Sequence, residues 1–127
     1  MMNPQQPAQI CLDMKKHRIR IHKQTLHLIG DPSHIQLLVN PERQALAIRA
    51  CDPKDPLSHR VDKNALVGNC LELYSRELLK ELSLVELSLA ESQSYSLYGS
   101  VDYAHHIAEF RMPSIEPLGE EVRARDS

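Results

Sequence analysis

The sequence predicts an α+β domain on a mostly antiparallel sheet. Three observations carry this. Apolar and polar residues alternate with period two around Ile19–Ile21, Ile35–Val39, Ala45–Ala50, Tyr95–Val101 and Ala108–Met112. One longer stretch, Asn69–Leu82, carries a leucine stripe at helical spacing. Short turn-rich segments join neighbouring strand candidates, which favours hairpins. The expected order is β, short α, β, β, α, β, β, with strands clustered and helices to one side.

A chain of 127 residues is one domain with one modest core. Residues 1–13, which open Pro/Gln-rich, are expected to be a disordered tail, and so is 115–127, with its charged end EEVRARDS. The folded domain is expected at 14–114.

Within it, Ile19 and Ile21 alternate with Arg18, Arg20 and His22, as in a half-buried strand. Thr25–Ile29 reads as a helical turn or two, closed by Gly30 and Pro32. Ile35–Val39 and Ala45–Ala50 form a hairpin around Asn40, Pro41 and Glu42. Residues 51–60 form a loop, since Pro53 and Pro56 exclude a central strand. Asn69–Leu82 reads as the main helix. Asn69 is its N-cap, Glu72 and Arg76 form an exposed pair, and Leu71, Tyr74, Leu78 and Leu82 form its stripe. The stripe continues to Val85 and Leu89, while Ser83 with Glu86 fits a capping box that would split it, and 83–90 is open between helix and strand. A second hairpin follows at 94–101 and 107–112, with Gly99 marking a bulge or a close backbone approach.

Net charge is −2, but its distribution is uneven. Lys15, Lys16, Arg18, Arg20 and Lys23 lie in a run without acids, and Glu72, Glu77, Glu81, Glu86 and Glu91 lie in an acid-rich one. One phenylalanine and no tryptophan argue against a stacking platform for single-stranded nucleic acid. Three widely spaced cysteines do not form a disulfide framework, and no leader or membrane-spanning run is read, so a cytoplasmic protein is expected.

No catalytic signature stands out. The seven histidines form no HExxH, and His105, His106 and Cys51 could converge only through the fold. Cys70 at a helix start would have a lowered pKa, with a buried structural cysteine as the commoner outcome. Asp52 and Asp55 fit turns in a Pro-rich loop. With four glycines there is no phosphate-cradling loop. No metal, cofactor or catalytic residue is assigned.

The string Ile19–Ile21, Thr25–Pro32 (TLHLIGDP), Ile35–Val39, Asn40–Glu42 and Ala47–Arg49, with Tyr95–Gly99 later, resembles small uncharacterised proteins of Firmicutes associated with mobile elements. The 18–50 unit also resembles the AbrB/MazE-type swapped-hairpin module. That resemblance implies dimerisation and duplex-DNA binding through basic residues, here Lys15, Lys16, Arg18, Arg20 and Lys23. The glycine and isoleucine-proline elements that usually precede the helix are missing, and Lys23 and Gln24 occupy that corner.

The expected function is therefore a non-enzymatic, homodimeric regulator binding duplex DNA through its basic strand. One alternative is a protein-binding accessory factor of phage or host-defence type, using Leu71, Tyr74, Leu78 and Leu82. A second is an enzyme with a histidine-containing pocket. The same basic residues also suit an edge strand protected by charge, so the deciding question is what sits opposite Arg18 and Arg20.

Overall fold

A computed structural model describes residues 8–85, 89–90, 92–112 and 116–117. The elements are β1 (Ala8–Asp13), β2 (Arg18–His22), α1 (Lys23–Leu28), β3 (His34–Asn40), β4 (Ala45–Ala50), β5 (His59–Arg60), β6 (Cys70–Tyr74), α2 (Arg76–Val85), β7 (Ser94–Asp102), β8 (Ile107–Arg111) and β9 (Glu116–Pro117). They form an α+β domain on one antiparallel sheet. Its strand order is β5-β3-β4-β8-β7-β1-β2-β6, with β9 on the edge of β7 beyond β8.

Three hairpins share one local design. Asp13, Asn40 and Asp102 end their strands and pair across with Arg18, Ala45 and Ile107. Asp102 does so in the β7–β8 ladder. In each, the side-chain oxygen accepts from the backbone N–H three residues on: Lys16 at 3.2 Å, Arg43 at 3.2 Å and His105 at 3.2 Å. The last loop residue then turns left-handed, with φ of 55° at His17, 50° at Gln44 and 56° at His106. An Asx side chain at the start and a left-handed residue at the end return the chain in register.

Helix α1 is short because the sheet needs its side chains. Gln9 of β1 lies beyond the last β1–β2 pair, where β2 has already turned into α1. The buried Thr25 hydroxyl replaces the missing strand there. It accepts from Gln9 N–H at 2.8 Å and donates to Gln9 C=O at 2.8 Å. Leu26 and Ile29 enter the core, and Gly30 ends the turn at φ 96° with the His106 ring against its Cα. The expected close approach at Gly99 is present, since a side chain there would meet the Glu109 backbone and the Phe110 ring.

Four expectations need correction. The proposed tail 1–13 contains β1, which lies between β7 and β2 with Ala8, Ile10 and Leu12 fully buried. The period-two pattern of AQICLD outweighs the polar composition ahead of it. The proposed tail 115–127 likewise contains β9, paired with Tyr95 and Ser96, and the proposed loop 51–60 ends in β5, paired with β3. Residues 1–7 and 118–127, and Glu86 of the proposed capping box, lie outside the described residues.

The proposed helix 69–82 is a strand followed by a helix. Gly68 and Asn69 both have positive φ, which excludes Asn69 as an N-cap. Leu71 and Leu73 then pair with Ile21 and Ile19 of β2, so Cys70 starts a strand rather than a helix. Helix α2 begins after Ser75, whose hydroxyl accepts from Leu78 N–H at 3.2 Å, and it runs through Ser83 to Val85. Only Leu78 and Leu82 of the proposed stripe lie on α2, whose buried residues are Leu79 and Leu82. The error is one of period, because Leu71, Tyr74, Leu78 and Leu82 satisfy a helical template while the first two belong to a strand.

One core cluster takes Ile10, Leu12, Ile19, Ile21 and Leu71 from one end of the strand order and Ile35, Leu46 and Ile48 from the other. Helix α2 leaves β6 and packs on β3, so the sheet curls around this core. The path β2-α1-β3-β4 recurs as β6-α2-β7-β8, and corresponding strands pair antiparallel, β2 with β6 and β4 with β8. The chain thus holds two βαββ units in succession, joined through corresponding strands.

Replacing Thr25 by Val should cost about 2–4 kcal/mol, because a buried N–H and a buried C=O lose their partner together. Thr25→Ser should retain most of that stability. Urea unfolding of the three proteins checks this, and equal midpoints for Val and Thr would refute it.

Candidate functional site

The outer face of β7, β1, β2 and β6 carries three cross-strand rungs of polar side chains. They are Ser94–Asp13–Arg18–Tyr74, Ser96–Cys11–Arg20–Glu72, and Tyr98–Gln9 continuing towards His22–Cys70. The alternation that buries Ile19 and Ile21 puts Arg18, Arg20 and His22 here.

What sits opposite the arginines is acid from the same chain. Arg18 donates to Asp13 at 2.9 Å and to Glu72 at 3.1 Å, and Arg20 Nε lies 3.2 Å from the same Glu72 oxygen. Arg20 also donates to the Val67 carbonyl at 3.2 Å. Burial works against the charge on Arg18, but hydrogen bonds with Tyr74 and Asp13 and the charge of Glu72 overcome it and raise its pKa. These side chains are 14–32% exposed, shielded enough for the ion pairs to outweigh ordinary surface bridges.

The proposed nucleic-acid residues are therefore dispersed. Arg18 and Arg20 are engaged within the sheet. Lys15 and Lys16 occupy the β1–β2 turn, while Lys23 opens α1 at the opposite end of β2. About 17 Å of strand separates the two ends. All three lysines are exposed. The proposed partner-binding set is divided as well: Leu71 and Leu82 are buried, Leu78 is half-buried, and Tyr74 is 65% exposed.

Two further constellations exist. Cys11 Sγ lies 3.7 Å from His22 Nε2. Burial, reinforced by Cys70, raises the Cys11 pKa, and burial together with Arg20 lowers that of His22. A neutral thiol thus faces a neutral imidazole, the reverse of an activated cysteine–histidine pair. The Cys70 thiol is also raised by burial, against the lowering expected at a helix start. All three cysteines are free. An open groove of about 600 Å³ is lined by His22, Lys23, Gln24, His27, Asp31 and Asn69. His27 meets Asp31 at 2.9 Å there, and Lys63 approaches the same carboxylate at 3.4 Å. This groove brings two histidines and an acid together at the open surface. His105 instead pairs with Asp102 at 2.7 Å, and His106 contacts the Ile29 carbonyl at 3.2 Å. Among the described residues, no three or more His, Cys, Asp or Glu are placed to hold a metal ion.

Among the described residues no strand pairs with the outer edge of β6, which is the remaining open feature. Ser75 N–H reaches His17 C=O at 2.9 Å and Lys23 N–H reaches Asn69 C=O at 2.8 Å, so odd-numbered residues of β6 bond to β2. The backbone groups of the even-numbered residues point away. Cys70 closes on Val67, leaving those of Glu72 and Tyr74 at the edge. The strand has no proline, lysine or bulge to blunt it. At the other end of the strand order, β5 has two residues.

No protein-family model, curated protein or solved structure matches the chain. Among the described residues, no helix is long and apolar enough to cross a membrane.

Sequence reasoning missed Asp13 and Glu72 as the partners of Arg18 and Arg20. Asp13 was assigned to a tail and Glu72 to a helix. The shared signal was the hairpin pattern at Asp13–Arg18, which repeats that of Asn40–Ala45.

Glu72→Gln should destabilise the fold by about 1–3 kcal/mol, because two partly buried arginines lose a shared carboxylate; thermal unfolding checks it, and an unchanged midpoint would refute it. A pH effect is expected at Glu109, whose pKa is lowered by its hydrogen bonds from Arg43 at 2.6 and 2.7 Å. The stability of wild type relative to Glu109→Gln should be full above the ordinary glutamate pKa of about 4.3. It should vanish as pH falls through the lower folded-state value, which urea titrations across that range would reveal.

Proposed function

We propose that this protein is a small non-enzymatic regulatory module that works by binding another polypeptide along the free edge of β6. The observation that carries this is the pair of unblunted edge residues, Glu72 and Tyr74, beside a basic strand already neutralised by Asp13 and Glu72. An extended segment adding to such an edge gains main-chain hydrogen bonds without needing a deep pocket. The neutral Cys11–His22 pair and the open His27–Asp31 groove favour binding over catalysis.

A second reading, duplex-DNA binding, has the exposed Lys15, Lys16 and Lys23 in its favour. The two separate cleanly. On the polypeptide reading, a tagged chain in nuclease-treated extract should recover a protein that is lost with Tyr74→Pro and kept when all three lysines are changed to Ala. On the DNA reading, duplex affinity should fall with salt at a log–log slope near about −3 and disappear in the triple-lysine variant. DNA binding of that kind, with capture indifferent to Tyr74→Pro, would overturn the proposal.

A further inference from the structure

We infer that the polypeptide seated on β6 is β6 of a second copy of this chain, paired antiparallel about a twofold axis. The inference rests on the reading of β6 as a docking edge and names its occupant.

Three properties of the edge favour itself as partner. The first is register. Backbone groups at Glu72 and Tyr74 point outward, two residues apart. Setting Glu72 opposite Tyr74 of the second copy places the twofold axis at Leu73. Each outward N–H then faces an outward C=O, and the pattern satisfies itself, as an isologous interface must.

The second is charge. In that register the rung Asp13–Arg18–Tyr74 continues into Glu72–Arg20 of the second copy. Acid, base, tyrosine, acid and base follow one another, so no like charges lie directly opposite. The chain's basic strand and its acid on β6 are thereby shared across the junction as well as within each copy.

The third is surface. Tyr74 is 65% exposed although it stands on a sheet face whose neighbours on β1 and β2 are half-buried. A strand beside β6 would cover it. Tyr74 stands directly opposite Arg18 in the β2–β6 register, so its place on this face is set before the partner arrives.

Sedimentation velocity over a wide range of concentration tests this. Wild type should be a dimer that dissociates on dilution. Tyr74→Pro removes an N–H that bonds nothing within β2–β6, so the fold should persist, with an unchanged far-ultraviolet spectrum, as a monomer. Tyr74→Lys, which leaves the backbone intact and charges the edge, should also be monomeric. Amide exchange at Glu72 and Tyr74 should be slowed in wild type and fast in both variants. A wild type that is monomeric at every concentration overturns self-pairing. Loss of a different captured protein with Tyr74→Pro would then leave the docking edge standing, while indifference to that change removes both. A dimer that survives both substitutions also overturns the inference.

Discussion

The fold depends on satisfying the backbone of β1. This strand joins the β3-β4-β8-β7 portion of the sheet to β2 and β6, so both its edges are interior. Every N–H and C=O along it needs a partner, since a buried unpaired backbone group costs as much as a lost hydrogen bond. One edge is satisfied by β7 along its whole length. The other is satisfied by β2 as far as Ile10, and then by a side chain, Thr25, where β2 bends into α1. That substitution lets a connection leave the sheet above an interior strand without exposing it. It also fixes where α1 sits, and hence which residues line the groove at His22, Lys23 and His27.

The second organising element is the repeated hairpin. Three turns with different sequences, DMKKHR, NPERQA and DYAHHI, share an Asx hydrogen bond and a left-handed last residue. Two of them, at Asn40 and Asp102, occupy corresponding places in the two βαββ units. The two units join inside one chain through the β2–β6 and β4–β8 pairs. β5 is an appendage of the first unit, and β6 stands at the end of the strand order. The repeated path thus closes its inner pairs within the chain and leaves β6 at an end of the order.

How much of this was legible in sequence follows from the same features. The β3–β4 and β7–β8 hairpins were readable because alternation and turn residues agree at Ile35–Ala50 and Tyr95–Met112. The TLHLIG turn was readable through Gly30. The role of Thr25 was not, because its partner Gln9 is sixteen residues away and its own neighbours read simply as helix. Leu71 and Tyr74 were misread because their spacing to Leu78 fits a helix, and only pairing with Ile21 and Arg18 decides for a strand. The candidate site was legible in part. The basic strand was identified, but its acidic partners depend on which strands become neighbours, information that lies in the tertiary pairing.

That pairing changes what a basic strand means. Charge counted along the chain between Lys15 and Lys23 is all positive, whereas charge counted across the sheet sets an acid beside each arginine, Asp13 by Arg18 and Glu72 by Arg20. A phosphate backbone would meet the second pattern. To engage Arg18 or Arg20 it would have to displace a carboxylate held at 2.9–3.2 Å, exchanging one anion for another with little net gain. A strand added beside β6 displaces nothing, because Glu72 keeps its arginines while its unused backbone groups gain partners. The same acid that removes the attraction for DNA therefore anchors the edge at which a polypeptide can join.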